Sequence, residues 1–152
     1  MIPRRLGQRG LTLVELVIVV AIIATLTAIA VAVYSNVTER SKVAKAIADL
    51  QVMDGEIAAF EGENGRLPGS LAEINRGSLL DPWRNPYQYF EFSTGPTGDR
   101  RKDHALVPIN TTYDLYSKGR DGQSAPALTA SSSRDDVVRA NDGGFYGLAS
   151  TY

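Results

Sequence analysis

The chain has 152 residues, a formal net charge of −1, 22% charged residues, no cysteine and a single histidine, His104. That length suits one domain with a modest core, and the near-neutral balance offers no electrostatic footprint for nucleic acid, so none is expected as a partner. Without cysteine a disulfide framework and thiolate metal sites are excluded. One histidine leaves little room for zinc or histidine-triad chemistry.

The charge is unevenly placed. Arg4, Arg5 and Arg9 open the chain with no acid among them, and the remainder holds 13 bases against 17 acids. The apolar run "LTLVELVIVVAIIATLTAIAVAVY" follows, Leu11 to Tyr34, with no charge from Leu16 to Val33. At about 1.5 Å per residue it spans roughly 35 Å as a helix, enough for a ~30 Å hydrocarbon layer. Basic residues before it and a weakly acidic chain behind it orient the N-terminus to the cytoplasm. Two simple readings exist. One is a secretory signal peptide, with small-residue cleavage sites at Ala28–Ala30 and Ala30–Ala32. The other is a plain anchor. Neither accounts for Glu15, a carboxylate inside the apolar run, where an ionisable group is costly and points to function.

"RGLTLVELVIVVAII" resembles the class III leader motif of type IV pilins and pseudopilins. The resemblance implies a cleaved leader of residues 1–10, cut between Gly10 and Leu11 by a prepilin peptidase that then methylates the new amine on Leu11. It also places Glu15 at the fifth mature position, the acid that aligns each subunit on a growing filament. The physical reading agrees: a buried carboxylate is tolerable only when paired, and a neighbouring copy shifted along the axis can bring its terminal amine to Glu15. The chain departs from the family pattern at Leu11, where phenylalanine is usual, and at Ala32, where proline is frequent. No proline kink is therefore expected.

Beyond Tyr34, Val43, Ile47, Leu50, Met53, Ile57 and Phe60 recur at the spacing of an amphipathic helix. One helix from about Thr12 to Glu61 is expected, weakened at Gly55 and ended by "EGENGRLPG". Lys45 and Asp49 are placed for an i,i+4 pair. Ser70 and Glu73 fit a capping box for a short helix through Ile74, and "DPWRNP" is turn chemistry. Strand candidates follow at Tyr87–Phe92, His104–Ile109 and Thr112–Ser117, the middle one an edge or broken strand because of Pro108. Ser124 to Ser133 reads as loop. The fold class is α+β, pilin-like: a long N-terminal helix, its first half (11–34) transmembrane, its second half packed on a small antiparallel sheet in a globular domain of residues 35–152.

"DPWRNPYQY", "YDLYSKGRDGQS" and "RDDVV", in that order, are similar to the major pseudopilin of type II secretion systems. This second resemblance implies calcium as a cofactor in the C-terminal loop, held by Asp121, by Asp135 or Asp136, and by the carbonyl of Lys118. Physically, a long Gly- and Ser-rich segment without a disulfide gains from such a clip; the plainer alternative makes Asp121-Gly122 an ordinary turn and Ser133–Asp136 a helix start. The resemblance implies no catalytic site. It implies a helical homopolymer as the working form, with minor pseudopilins and an inner-membrane assembly platform as partners. The subunit would begin as a single-pass inner-membrane protein and end in a periplasmic filament. Alternatives are a type IV pilin for adhesion, motility or DNA uptake, and a periplasmic binding protein or enzyme behind a signal peptide. His104 reads as a surface residue, and Trp83 and the tyrosines as packing residues.

Overall fold

The computed structural model describes residues 11–93 and 95–152; the leader and Gly10 lie outside them. The chain divides into two compact units, the first ending at Glu39 and the second running from Arg40 to Tyr152. One helix, α1 (Leu13–Asn64), supplies most of the first unit and the opening of the second.

In the first unit α1 is long and apolar enough to cross a membrane. Its large apolar side chains, among them Leu13, Val17, Ile22, Ile29 and Val33, are exposed. Thr25 and Thr27 return their hydroxyls to the carbonyls of Ile22 and Ile23, so the helix hides its own polar groups.

In the second unit the helical stripe becomes a core seam. Ala46, Leu50, Met53 and Ile57 are fully buried, with Val43 and Ile47 half-buried beside them. The fully buried seam thus begins at Ala46, which the apolar periodicity passes over because alanine is small. Lys45 and Asp49 pair at 3.0 Å as expected. The helix stops at Gly65, whose φ of +67 lets its N–H donate to the Glu61 carbonyl at 2.8 Å.

The 3₁₀ turn Leu71–Ile74 stands where a short helix is expected, but the Ser70–Glu73 capping box does not form. Glu73 instead accepts from the Gly69 N–H at 3.1 Å and pairs with Arg66 at 2.8 Å, so a charged partner outcompetes the serine. The "DPWRNP" turn is built on Asp81, whose Oδ1 accepts from the N–H groups of Trp83 and Asn85 at 3.0 and 2.8 Å.

Four short strands form an antiparallel meander in chain order: β1 (Gln88–Glu91), β2 (Tyr113–Ser117), β3 (Val137–Ala140) and β4 (Phe145–Leu148). The outer strand candidates contain β1 and β2. His104–Ile109 is not a ladder strand. The Asp103 carboxylate accepts from the N–H groups of Ala105 and Val107 and folds the segment into a tight turn, closed by a single Lys102–Pro108 bridge. The Ser133–Asp136 helix start is likewise replaced, by a 3₁₀ turn at Ser131–Ser133 running into β3.

Strand β3 is buried on both faces. Val137 packs into the core shared with α1, whereas Val138 and Ala140 join Ile109, Leu128 and Ala149 in a second cluster. The domain is thus layered as helix, sheet and covering loops. Asp54 of α1 ties the first two layers together. It accepts from the hydroxyls of Tyr113 and Tyr146 and pairs with Arg139, which lies 4.2 Å over the Tyr113 ring.

Candidate functional site

Two regions carry the residues singled out above. At the start of α1, Leu11 is exposed and Thr12 caps the helix. The Thr12 N–H and hydroxyl both donate to Glu15 Oε2 at 2.8 Å, and the Thr12 hydroxyl accepts from the Glu15 N–H at 3.2 Å. This reciprocal arrangement is a capping box. Its signal, Thr-x-x-Glu ahead of an apolar run, is plain in residues 12–15. Glu15 therefore has local partners before any second subunit arrives.

The second region is the loop after β2. Ser117 donates its hydroxyl to Asp81 at 2.5 Å and accepts from the Gly119 N–H at 3.1 Å, fixing the exit from the strand. Lys118 lies between them. Gly119 has a φ of +61, and a Cβ there would overlap the Asp135 carbonyl oxygen. Asn85 anchors the turn through the Gly119 carbonyl at 2.8 Å. The Asp121 N–H donates to Asp135 Oδ2 at 3.0 Å, and Asp121 Oδ1 accepts from the Gln123 N–H at 2.8 Å. The Asp121 backbone is therefore brought to the Asp135 carboxylate, while the Asp121 carboxylate closes on Gln123.

Asp136 goes elsewhere. It is fully buried, and its Oδ2 accepts from Arg101 Nη2 at 2.5 Å and from the Ser124 hydroxyl at 2.6 Å. Arg101, 2% exposed, also donates to the Ala125 carbonyl at 2.7 Å and lies 4.3 Å over the Tyr116 ring. The Arg101 N–H donates to Asp114, itself buried and hydrogen-bonded to Asn110. Burial pushes the Asp136 carboxyl up to about 6, against the pull of Arg101 and Ser124, and burial also raises Asp114. Of the two acids offered as the second calcium ligand, Asp136 is thus engaged with arginine and Asp135 accepts from the Asp121 backbone N–H. Arg101 carries no local sequence signal, because its partners are 13 to 35 residues away.

The donors left for calcium, the carboxylates of Asp121 and Asp135, are oxygen ligands of the kind calcium takes, and each already accepts a backbone N–H. No three acidic or histidine side chains among the described residues gather into a metal cluster. Asp142 holds the N–H and hydroxyl of Thr111 at 2.9 and 2.8 Å, a loop-fixing role. His104 is exposed and Trp83 packs against the main core.

Comparison with known proteins finds likeness in the N-terminal motif and along most of the chain. The prokaryotic N-terminal methylation motif family matches residues 5–31. The chain is similar to type II secretion system core protein G of Xanthomonas campestris, 29% identical over 80% of this chain and 85% of the relative. It is also similar to the protein of the same name from Pseudomonas aeruginosa, 27% identical over 79% and 89%. A fimbrial protein of Neisseria meningitidis is 26% identical over 89% of this chain and 81% of its own length. No solved structure matches the chain. The methylation motif, the apolar helix and the α+β domain are what the chain shares with these type II secretion and fimbrial proteins.

Proposed function

We infer that this chain is a structural subunit of a type II secretion pseudopilus and works by polymerising. The observation that carries this is the similarity to core protein G, which covers about four-fifths of the chain and so reaches far past the N-terminal motif. The leader is cut between Gly10 and Leu11 by a prepilin peptidase, the Leu11 amine is methylated, and the apolar half of α1 anchors the subunit with its domain on the periplasmic side. Minor pseudopilins and an inner-membrane assembly platform complete the machinery. The similarity to the Neisseria fimbrial protein keeps a type IV pilin as the second reading.

Removal of the gene tests the choice. Loss of protein secretion with surface pili intact supports the pseudopilin, and the reverse pattern supports the pilin. Mass spectrometry of the native N-terminus tests the processing step: a methylated Leu11 is expected, and a retained leader or a start beyond Ala30 rejects it.

Calcium is proposed on Asp121, Asp135 and the Lys118 carbonyl, with Asp136 outside the ligand set. Bound there, the ion would supply positive charge between two carboxylates and hold the loop closed. Calcium should raise the unfolding temperature of the full chain in detergent, and Asp121→Ala should abolish the rise. A wild-type chain indifferent to calcium rejects the site.

A further inference from the structure

The turn between Lys102 and Pro108 is closed by hydrogen bonds and ends in an apolar tip. Asp103 anchors it with four hydrogen bonds. Its Oδ1 accepts from the Ala105 and Val107 N–H groups, its N–H donates to the Val107 carbonyl at 2.9 Å, and its carbonyl accepts from Leu106 at 3.1 Å. Leu106 is held at a φ of +61, a conformation that a branched side chain adopts only when its surroundings impose it. Yet Leu106 is 65% exposed and Val107 55%. A strained, well-anchored turn that displays two large apolar side chains to water contributes nothing to the core of its own domain.

Beside the turn lies a groove that holds two basic side chains and one acid. Asp103 and His104 line this groove of about 400 Å³ together with Arg134, over a floor formed by Leu128 and Ala149. Neither the Arg134 guanidinium nor the His104 imidazole makes a hydrogen bond or ion pair among the described residues. Lys102 stands at the base of the turn.

A second groove, about 420 Å³, has the opposite character. It is lined by Leu67, Gly69 and Ser93 between the acids Glu61 and Glu91, and its one base, Arg66, is committed to Glu73. Glu63, also exposed, lies two residues from Glu61. The two grooves share no residue, so one copy can use both at once.

We propose that the Leu106–Val107 tip of one copy docks in the Glu61–Leu67–Glu91 groove of the next, with Arg134, His104 and Lys102 meeting the acidic rim. An apolar centre with a charged rim of complementary sign is the usual anatomy of a specific protein interface. Because the two surfaces differ, the contact is heterologous: it propagates in an open series and does not close into a two-fold dimer. This assignment rests on the polymerising role inferred above and gives the globular domain a part in subunit contacts that the apolar helix alone does not define.

The absence of cysteine makes the test direct. In cells that assemble the full-length protein into fibres, Leu106→Cys and Glu61→Cys are introduced singly and together, and sheared fibres are oxidised. The double variant should give a reducible ladder of dimers, trimers and longer species, and neither single variant should. Independently, Arg134→Glu and Glu61→Lys should each lower fibre yield about fivefold to tenfold, as rim charges do, and the double reversal should recover much of it. Fibres at parental yield with no ladder and no effect of either reversal overturn the contact while leaving polymerisation intact. Crosslinking of Leu106→Cys alone also overturns it, in favour of a tip-to-tip dimer. Failure of the parent to form fibres removes the polymerising role and this contact with it.

Discussion

Replacing Arg101 by methionine is the sharpest test of how the C-terminal loop is held. Asp136 would stay fully buried with only the Ser124 hydroxyl for company, and the Ala125 carbonyl would lose its donor. Removing one member of a buried pair costs about 3–5 kcal/mol, because the other charge remains without compensation. A domain of this size has about 5–15 kcal/mol in total. The unfolding temperature of the full chain in detergent, followed by near-UV circular dichroism, should fall by about 15–25 °C. The double variant Arg101→Met, Asp136→Leu should regain most of the loss, since an apolar pair of similar volume is often as stable as the ions it replaces. A single variant within a few degrees of wild type, or a double variant no better than the single, refutes the clip. The same pair sets a pH dependence. The folded Asp136 carboxyl lies at about 6, above its unfolded value near 3.8, so the folded chain holds this proton more tightly. Its contribution is fully present below about pH 4 and is lost as pH rises through 6, a change of about 3 kcal/mol at most. Asp136→Asn should remove that segment from the stability curve. Glu56 and Glu73, lowered by Arg76 and Arg66, act in the opposite sense at lower pH.

Two further substitutions probe local geometry. Gly119→Ala should destabilise the domain by about 2 kcal/mol or more, since it combines a positive φ with overlap on the Asp135 carbonyl; a neutral effect in chemical denaturation contradicts the turn described. Thr12→Val removes both hydroxyl contacts to Glu15 and should cost the helix start about 1 kcal/mol, seen as faster hydrogen exchange at the Glu15 amide.

Legibility in the sequence followed the range of the interactions. The long helix was readable because its apolar pattern repeats over many turns, and β1 and β2 because aromatic residues cluster within them. The segment His104–Ile109 misled because one aspartate, Asp103, overrides a run of residues suited to a strand. Strands β3 and β4 escaped because burial on both faces erases alternation in Val137–Ala140. Their hairpin still has a signal in "NDGG", where Asn141, Asp142 and Gly143 all take positive φ. The Ser-x-x-Glu pattern of Ser70 and Glu73 forms no capping box, whereas Thr-x-x-Glu at Thr12 and Glu15 does. In the C-terminal loop the acids were visible. What divides them was not, because Arg101 reaches Asp136 across 35 residues.

The Thr12–Glu15 box changes how the acid in the apolar run must be understood. If Glu15 served only to start the helix, glutamine would do as well, since a glutamine at this position also reaches back to the N-cap. If Glu15 aligns subunits by meeting a neighbour's terminal amine, its charge is indispensable, because a neutral amide gains far less from that cation. Glu15→Gln therefore separates the two roles, whereas Glu15→Leu removes both. The glutamine variant should be processed, retain its helix start by hydrogen exchange, and still yield few fibres. Wild-type fibre yield from Glu15→Gln, with loss only in Glu15→Leu, would reduce Glu15 to a capping residue. The force that sets subunit register would then have to be sought in the globular domain.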